Sequence, residues 1–252
     1  MPESMDIVVY LLAFLAVIIN GMAKGGLGSI VGSLSVPLMS LAMDPVQAAA
    51  VLLPLLLLMD FISMWKFRGQ IYWPAFIHCL PAGIVGVAIG AMIFNQLSDA
   101  SIRLLIGLVS LGFCLLLWLQ RNSTSRSKSS AVKGSFWGCL TGFTSFGIHA
   151  GGPPLSIYLL PLGLSSHLLM GTQAWIFAGL NFSKVAAYSW LGQLDFSNLV
   201  FSLFLVPAAP AGVFLGYYLL NRLSQKIIYG FCYLSLFSLG SVLFFQGVRE
   251  LF

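Results

Sequence analysis

Apolar runs of membrane-crossing length follow one another along almost the whole chain, with only short polar turns between them. A helix needs roughly 17–25 predominantly apolar residues to cross a bilayer. Read against their Gly, Pro and polar breakers, about ten such segments emerge: 5–22, 27–43, 46–65, 72–94 and 102–119, then 134–148, 155–164, 168–191, 199–220 and 227–246. Charged residues make up 8% of the chain and apolar ones 59%. A soluble domain carries about 25% charged residues, so this sequence cannot cover a water-facing surface. The expectation is an all-α polytopic membrane protein, with the bilayer as its solvent and partner.

The net charge of +5 does not point to nucleic acid, because most basic residues stand between apolar runs, where they act as orientation signals. With the N-terminus outside and each segment crossing once, Lys24, Lys66, Arg68, Arg121, Arg126, Lys128, Lys133, Arg222 and Lys226 fall inside. Only Arg103 and Arg249 then fall outside. This bias predicts a multi-pass protein of a cell inner membrane with both termini outside. The first run follows Glu3 and Asp6 rather than a basic leader, so it reads as a retained helix. Cys79, Cys114, Cys139 and Cys232 are scattered singly, and no metal or disulfide framework is indicated.

The Ser-, Arg- and Lys-rich stretch 120–133 reads as a basic cytoplasmic linker between a first membrane repeat, 1–119, and a second, 134–252. The halves echo each other in order. Gly25-Gly26 with Pro37 parallels Gly151-Gly152-Pro153-Pro154, and Gly69-Gln70-Ile71-Tyr72-Trp73 parallels Gly192-Gln193-Leu194-Asp195-Phe196. Pro81-Ala82-Gly83 matches Pro210-Ala211-Gly212, and Asn95-Gln96-Leu97-Ser98 matches Asn221-Arg222-Leu223-Ser224. Five segments per half is an odd number, so the second repeat enters from the opposite face. Inverted repeats of this kind recur in transporters, with the binding site near the midplane.

The Gly pairs mark the start of each repeat as the candidate site. Paired glycines permit positive φ and close backbone approach, and Pro153 suits the first turn of a new helix. Each break therefore predicts a broken or re-entrant helix, whose N-terminus favours an anion. The short run 155–164 spans roughly 15 Å as a helix, about half the hydrocarbon core. Lys24, Gly25 and Gly26 from one break, with His149, Gly151 and Gly152 from the other, are the candidate anion ligands. Each of Lys24 and His149 also has a plain structural reading, as an interfacial anchor and a hydrogen-bonded core histidine.

Asp60 and Lys184 lie furthest inside apolar segments, where each charge costs roughly 2.5–3.5 kcal/mol by insertion scales. Upright helices would separate them by roughly 14 Å in depth, so each is expected to face the polar interior independently. Asp60, with His149, is a candidate proton carrier. Gln173, Phe177, Asn181 and Lys184 share one helical face, which adds Gln173, Asn181 and Lys184 to the candidate ligands. Such residues also serve simply to hold membrane helices together. Pro81, Pro207 and Pro210 are expected to kink their helices. No GxSxG, HExxH, P-loop or dinucleotide motif occurs in the sequence, so neither a catalytic constellation nor a cofactor is expected.

At these residues the chain resembles the sulfite exporter TauE/SafE family. The likeness rests on Lys24-Gly25-Gly26 with Pro37, Asp44-Pro45-Val46-Gln47-Ala48-Ala49-Ala50 leading to Leu53-Pro54, and Asp60. In the second half it rests on His149-Ala150-Gly151-Gly152-Pro153-Pro154-Leu155, Gly171-Thr172, Asn181 and Trp190-Leu191-Gly192-Gln193. The resemblance implies export of sulfite, sulfonates or related small organic or sulfur anions, coupled to protons by alternating access. Two other readings stay open. A membrane enzyme would draw its reactive group from Lys24, His149 and Asp60, and a non-transporting assembly factor would tolerate neutralising all three. A homodimer is left open as a partner state.

Overall fold

The computed structural model describes residues 7–94, 96–120, 128–220, 222 and 225–251, and the described residues form helices and turns. Half of the basic linker, residues 121–127, and parts of the Asn95 and Asn221 motifs lie outside them. In the first half α1 (Ile7–Met22) runs into a wide turn, Ala23–Leu27, followed by the short helices α2 (Ser29–Gly32) and α3 (Ser35–Met39). Then come α4 (Pro45–Lys66), α5 (Trp73–Phe94) and α6 (Asp99–Gln120). The second half begins with α7 (Ala131–Ile148), α8 (Gly152–Leu159) and α9 (Ser166–Trp190). It ends with α10 (Phe196–Leu205), α11 (Ala208–Leu219) and α12 (Gln225–Leu251).

Local chemistry accounts for many of these ends. Asp44 is extended before Pro45 opens α4, using the proline where its missing N–H costs nothing. Ser165 and Asp195 cap α9 and α10 by accepting from Leu168 N–H (3.4 Å) and Asn198 N–H (2.7 Å). The matched glycines Gly69 and Gly192 both adopt left-handed backbone, φ 76° and 69°, and turn the chain after α4 and α9. The three expected proline kinks are not uniform. Pro207 stands between α10 and α11, which bend by 45°, whereas Pro210 sits in the first turn of α11 and Pro81 inside a continuous α5.

Among the described residues, three helices can cross a membrane by length and composition: Ile7–Leu27, Pro45–Lys66 and Trp73–Phe94. The bent pair Phe196–Leu205 with Ala208–Leu219 makes a fourth if it is one span. This is a helical, membrane-associated protein, and the count is coarser than the ten segments expected. α9 has the length, but Thr172, Gln173, Asn181, Ser183 and Lys184 dilute its apolar character. Polarity is distributed inside out. Phe61, Met92, Phe182, Trp190 and Phe196 stand exposed while Asn20, Asp60, His149, Asn181 and Lys184 are buried, as suits an apolar solvent around a polar interior.

Glycine seams fix how the helices meet. A Cβ on Gly86 would lie 2.0 Å from the Cys139 carbonyl oxygen, and one on Gly142 would lie 1.8 Å from that of Gly83. Contacts along this α5–α7 seam rise together (Cys79 with Gly138, Gly90 with Phe146), so the helices run parallel. Ile18 with Gly212 and Met22 with Gly216 make α1 and α11 parallel too. By contrast, Leu104 meets Gly247, Gly107 meets Phe244 and Ser110 meets Gly240, which makes α6 and α12 antiparallel. Asp60 with Asn181 and Phe67 with His167 give α4 and α9 the same antiparallel sense.

Candidate functional site

The two breaks meet at the centre of the molecule. At the first, Gly28 takes φ 98° before α2; at the second, His149 takes φ 49° before α8. Of the two uses expected of the glycine pairs, positive φ is not taken up: Gly26 is extended at φ 162° and Gly151 has φ −73°. The pairs serve close approach instead. A Cβ on Gly25 would stand 2.1 Å from the Val213 carbonyl oxygen and one on Gly26 2.8 Å from that of Gly216, so both belong to the α1–α11 seam. A Cβ on Gly152 would stand 1.9 Å from the Ser29 carbonyl oxygen, which brings the start of α8 onto the start of α2.

Histidine in left-handed backbone is uncommon yet tolerated, and here it is held from several directions. The His149 N–H donates to Ser145 O at 3.2 Å, and the next amide, Ala150 N–H, reaches Thr144 O at 3.2 Å. Its Nε2 lies 2.9 Å from the Ala49 carbonyl oxygen. A carbonyl can only accept, so Nε2 carries the proton and Nδ1 is left as an acceptor. Lys184 Nζ fills that role as donor at 2.9 Å.

From Lys184 a buried relay continues across the molecule. Lys184 Nζ also donates to Asn181 Oδ1 at 2.8 Å, and Asn181 Nδ2 donates to Asp60 Oδ2 at 2.6 Å. The other carboxylate oxygen of Asp60 pairs with Lys24 Nζ. Five side chains from α4, α7's end, α9 and the first break thus form one continuous network. Asp60 and Lys184 are not directly paired, but the expectation that each faces the interior independently is corrected, because Asn181 joins them. Lys184 lies one turn beyond Asn181 on α9, and its long side chain extends back toward the helix N-terminus. Depth judged from backbone positions of upright helices misses that reach.

Two small cavities flank Lys24. One of about 30 Å³ is lined by Asn20, Lys24, Ser29, Ser145, His149, Gly152, Phe177 and Asn181 among others. The second, about 20 Å³, is lined by Lys24, Asp60, Met170, Gln173, Ala174 and Phe177 with Ala23 and Ser29. Each has room for roughly one or two waters, so an oxyanion must displace side chains to enter. Of the expected ligands, Lys24, His149, Gly152, Gln173 and Asn181 line this space. Lys184 stands behind it, fully buried, and Gly25, Gly26 and Gly151 do not line it. Asn20, Ser29 and Ser145 were missed. A signal for two of them was present, since Asn20 and Ser145 stand four residues before Lys24 and His149, one helical turn ahead of each break.

Supporting bonds stiffen the walls. Asn20 Nδ2 donates to Gly32 O (3.2 Å) and Ser35 Oγ (3.0 Å), and Ser63 Oγ donates to Lys24 O (3.1 Å). Among the described residues no group of three or more His, Cys, Asp or Glu is placed to hold a metal ion. What the arrangement offers chemically is a caged ammonium beside a carboxylate and neutral hydrogen-bonding groups, enclosed in protein.

No curated protein and no solved structure matches the chain. The family model described as sulfite exporter TauE/SafE matches residues 11–243, which span both breaks, Asp60 and the whole relay. On that match, the chain belongs to the sulfite exporter TauE/SafE family.

Proposed function

We propose that this chain is a secondary exporter of small anions, such as sulfite, sulfonates or related organic and sulfur anions, coupled to protons and working by alternating access in a cell inner membrane. Family membership carries the general role, anion transport in a membrane. The observation that carries the finer reading is Lys24: it lines both central cavities while its ammonium is occupied by the Asp60 carboxylate. An incoming anion competes with that carboxylate for one cation. Anion loading therefore favours a proton on Asp60, and flux responds to pH. Net direction follows the combined anion and proton gradients. Lys24, His149, Gln173 and Asn181 contact the anion in this scheme, Gly152 lets the two breaks close, and Lys184 orients His149 and Asn181. His149, holding its proton on Nε2, is the second candidate in the proton path.

Inverted repeats are the frame for this mechanism. The matched helices α4 and α9, and likewise α6 and α12, lie antiparallel, while the first helix of each half packs on the other half's α11 or α5. A twofold axis in the membrane plane produces that pattern, so the pairing supports an inverted duplication. Alternating access draws support from an asymmetry between the two ends. At the end bearing Lys66 and Arg68, a Cβ on Gly171 would stand 1.9 Å from Gln70 O, and Tyr72 N–H donates to Thr172 Oγ1 at 2.9 Å. The matched opposite end holds a cavity of about 360 Å³ lined by Asp44, Gln47, Gln193, Asp195 and Asn198 among others. In the orientation expected from the basic ends, the close contact lies at the cytoplasmic end and this cavity at the outer end.

The test is gradient-driven flux in proteoliposomes, with a panel of sulfite, sulfonates and carboxylates and with pH varied on each side. Wild-type protein should move at least one of these anions down its gradient in a pH-dependent way, and Lys24→Gln should abolish that movement. The proposal is wrong if the folded wild type moves none of them, or if Lys24→Gln and His149→Gln both leave flux intact.

A further inference from the structure

We infer that Phe177 sets the size limit on the transported anion by dividing the central space beside Lys24; this rests on the transport reading above. Four residues line both cavities: Ala23, Lys24, Ser29 and Phe177. Ala23 and Ser29 are too small to form a partition, and Lys24 is tethered to Asp60. Phe177 is the bulky member of the four, and a phenyl ring has no hydrogen bond to hold it. Its ring centroid lies 5.5 Å from Lys24 Nζ, within cation–π range. Its far edge reaches the second break, where a Cβ on Gly151 would stand 3.0 Å from ring Cε1.

The two sides of this ring differ in chemistry. On one side stand the polar side chains of Asn20, Ser145, His149 and Asn181. On the other stand Met170 and Ala174, with Gln173 and Asp60. An anion that takes Lys24 from the polar side directs any substituent at the ring. With phenylalanine in place the site accepts a bare or one-carbon oxyanion, and the space around Met170 and Ala174 stays separate. Trimming the ring joins the two cavities and opens that space to a longer apolar substituent.

The experiment measures the flux of 1-propanesulfonate relative to sulfite, in proteoliposomes, for wild type, Phe177→Leu, Phe177→Ala and Phe177→Trp. A single methylene in a close-fitting site changes selectivity by about ten-fold or more, so the ratio should rise by at least about that factor in Phe177→Ala, rise less in Phe177→Leu and fall in Phe177→Trp. A merely structural role would lower both fluxes together and leave the ratio unmoved. The inference is overturned if sulfite flux persists and the ratio stays within about two-fold of wild type in both trimmed variants, well short of that effect. If Phe177→Ala does not assemble, the Phe177→Leu ratio decides alone. A folded wild type that moves neither anion refutes the transport reading instead, which separates the two failures.

Discussion

Separating the stabilising from the functional part of the Lys24–Asp60 pair calls for a double-mutant cycle. The side chains are 11% and 2% exposed, so neither charge has bulk water to fall back on. Asp60→Leu would leave the Lys24 ammonium without its counter-charge and Asn181 without its acceptor. Lys24→Met would leave the carboxylate with only the Asn181 amide. Removing one partner of a buried ion pair costs about 3–5 kcal/mol, whereas replacing both by apolar residues is often close to neutral. Each single variant should therefore lose about 3–5 kcal/mol, and Lys24→Met with Asp60→Leu should recover most of it. At roughly 2–4 °C per kcal/mol for a chain of this size, the single variants should melt roughly 6–20 °C lower. Thermal unfolding in detergent micelles at fixed scan rate gives the stabilities, and anion flux from the same preparations gives function. The double variant should be stable yet inactive. Losses near 0.6 kcal/mol, the average for interhelical hydrogen bonds in membranes, that simply add in the double variant would refute the reasoning, because the pair would then be no more than two solvated groups.

Two further outcomes follow from backbone geometry. Gly171→Val must push the Gly69–Tyr72 turn off α9, since a Cβ there would already stand 1.9 Å from Gln70 O; hydrogen exchange at the Tyr72 amide should accelerate, and unchanged exchange would show that this contact is not a seal. At His149, with φ 49°, asparagine tolerates left-handed backbone and a β-branched residue does not. Both remove the imidazole, so His149→Val should melt below His149→Asn by a margin worth about 1–3 kcal/mol, and equal melting would mean that the backbone relaxes at no cost.

Much of the local structure is legible from the residues alone. Pro153-Pro154 announces the start of α8, Asp44-Pro45 the start of α4, and the matched Gly69 and Gly192 the turns after α4 and α9, because each depends on φ and capping within a few residues. The candidate site was legible as an inventory: Lys24, Asp60, His149, Asn181 and Lys184 are conspicuous because polar groups are costly in an apolar chain. Their wiring was not. That Asn181 bridges Asp60 to Lys184, and that Lys24 rather than Lys184 holds the carboxylate, follows from where α4 crosses α9 and how far a lysine reaches. Asn20, Ser29 and Ser145 look like ordinary helix polarity until the cavity is seen.

By itself the sequence determined that the chain must be helical and membrane-associated, where its helices break, and which side chains are too polar to face lipid. These are consequences of local torsions and of solvation, which depend on composition and short-range order. Only the tertiary structure decided that the glycine pairs serve backbone contact and that two small cavities beside Lys24 gather groups from both halves. Those outcomes depend on helix crossing points and side-chain lengths, quantities set by packing between segments more than a hundred residues apart, as between Ser29 and Gly152.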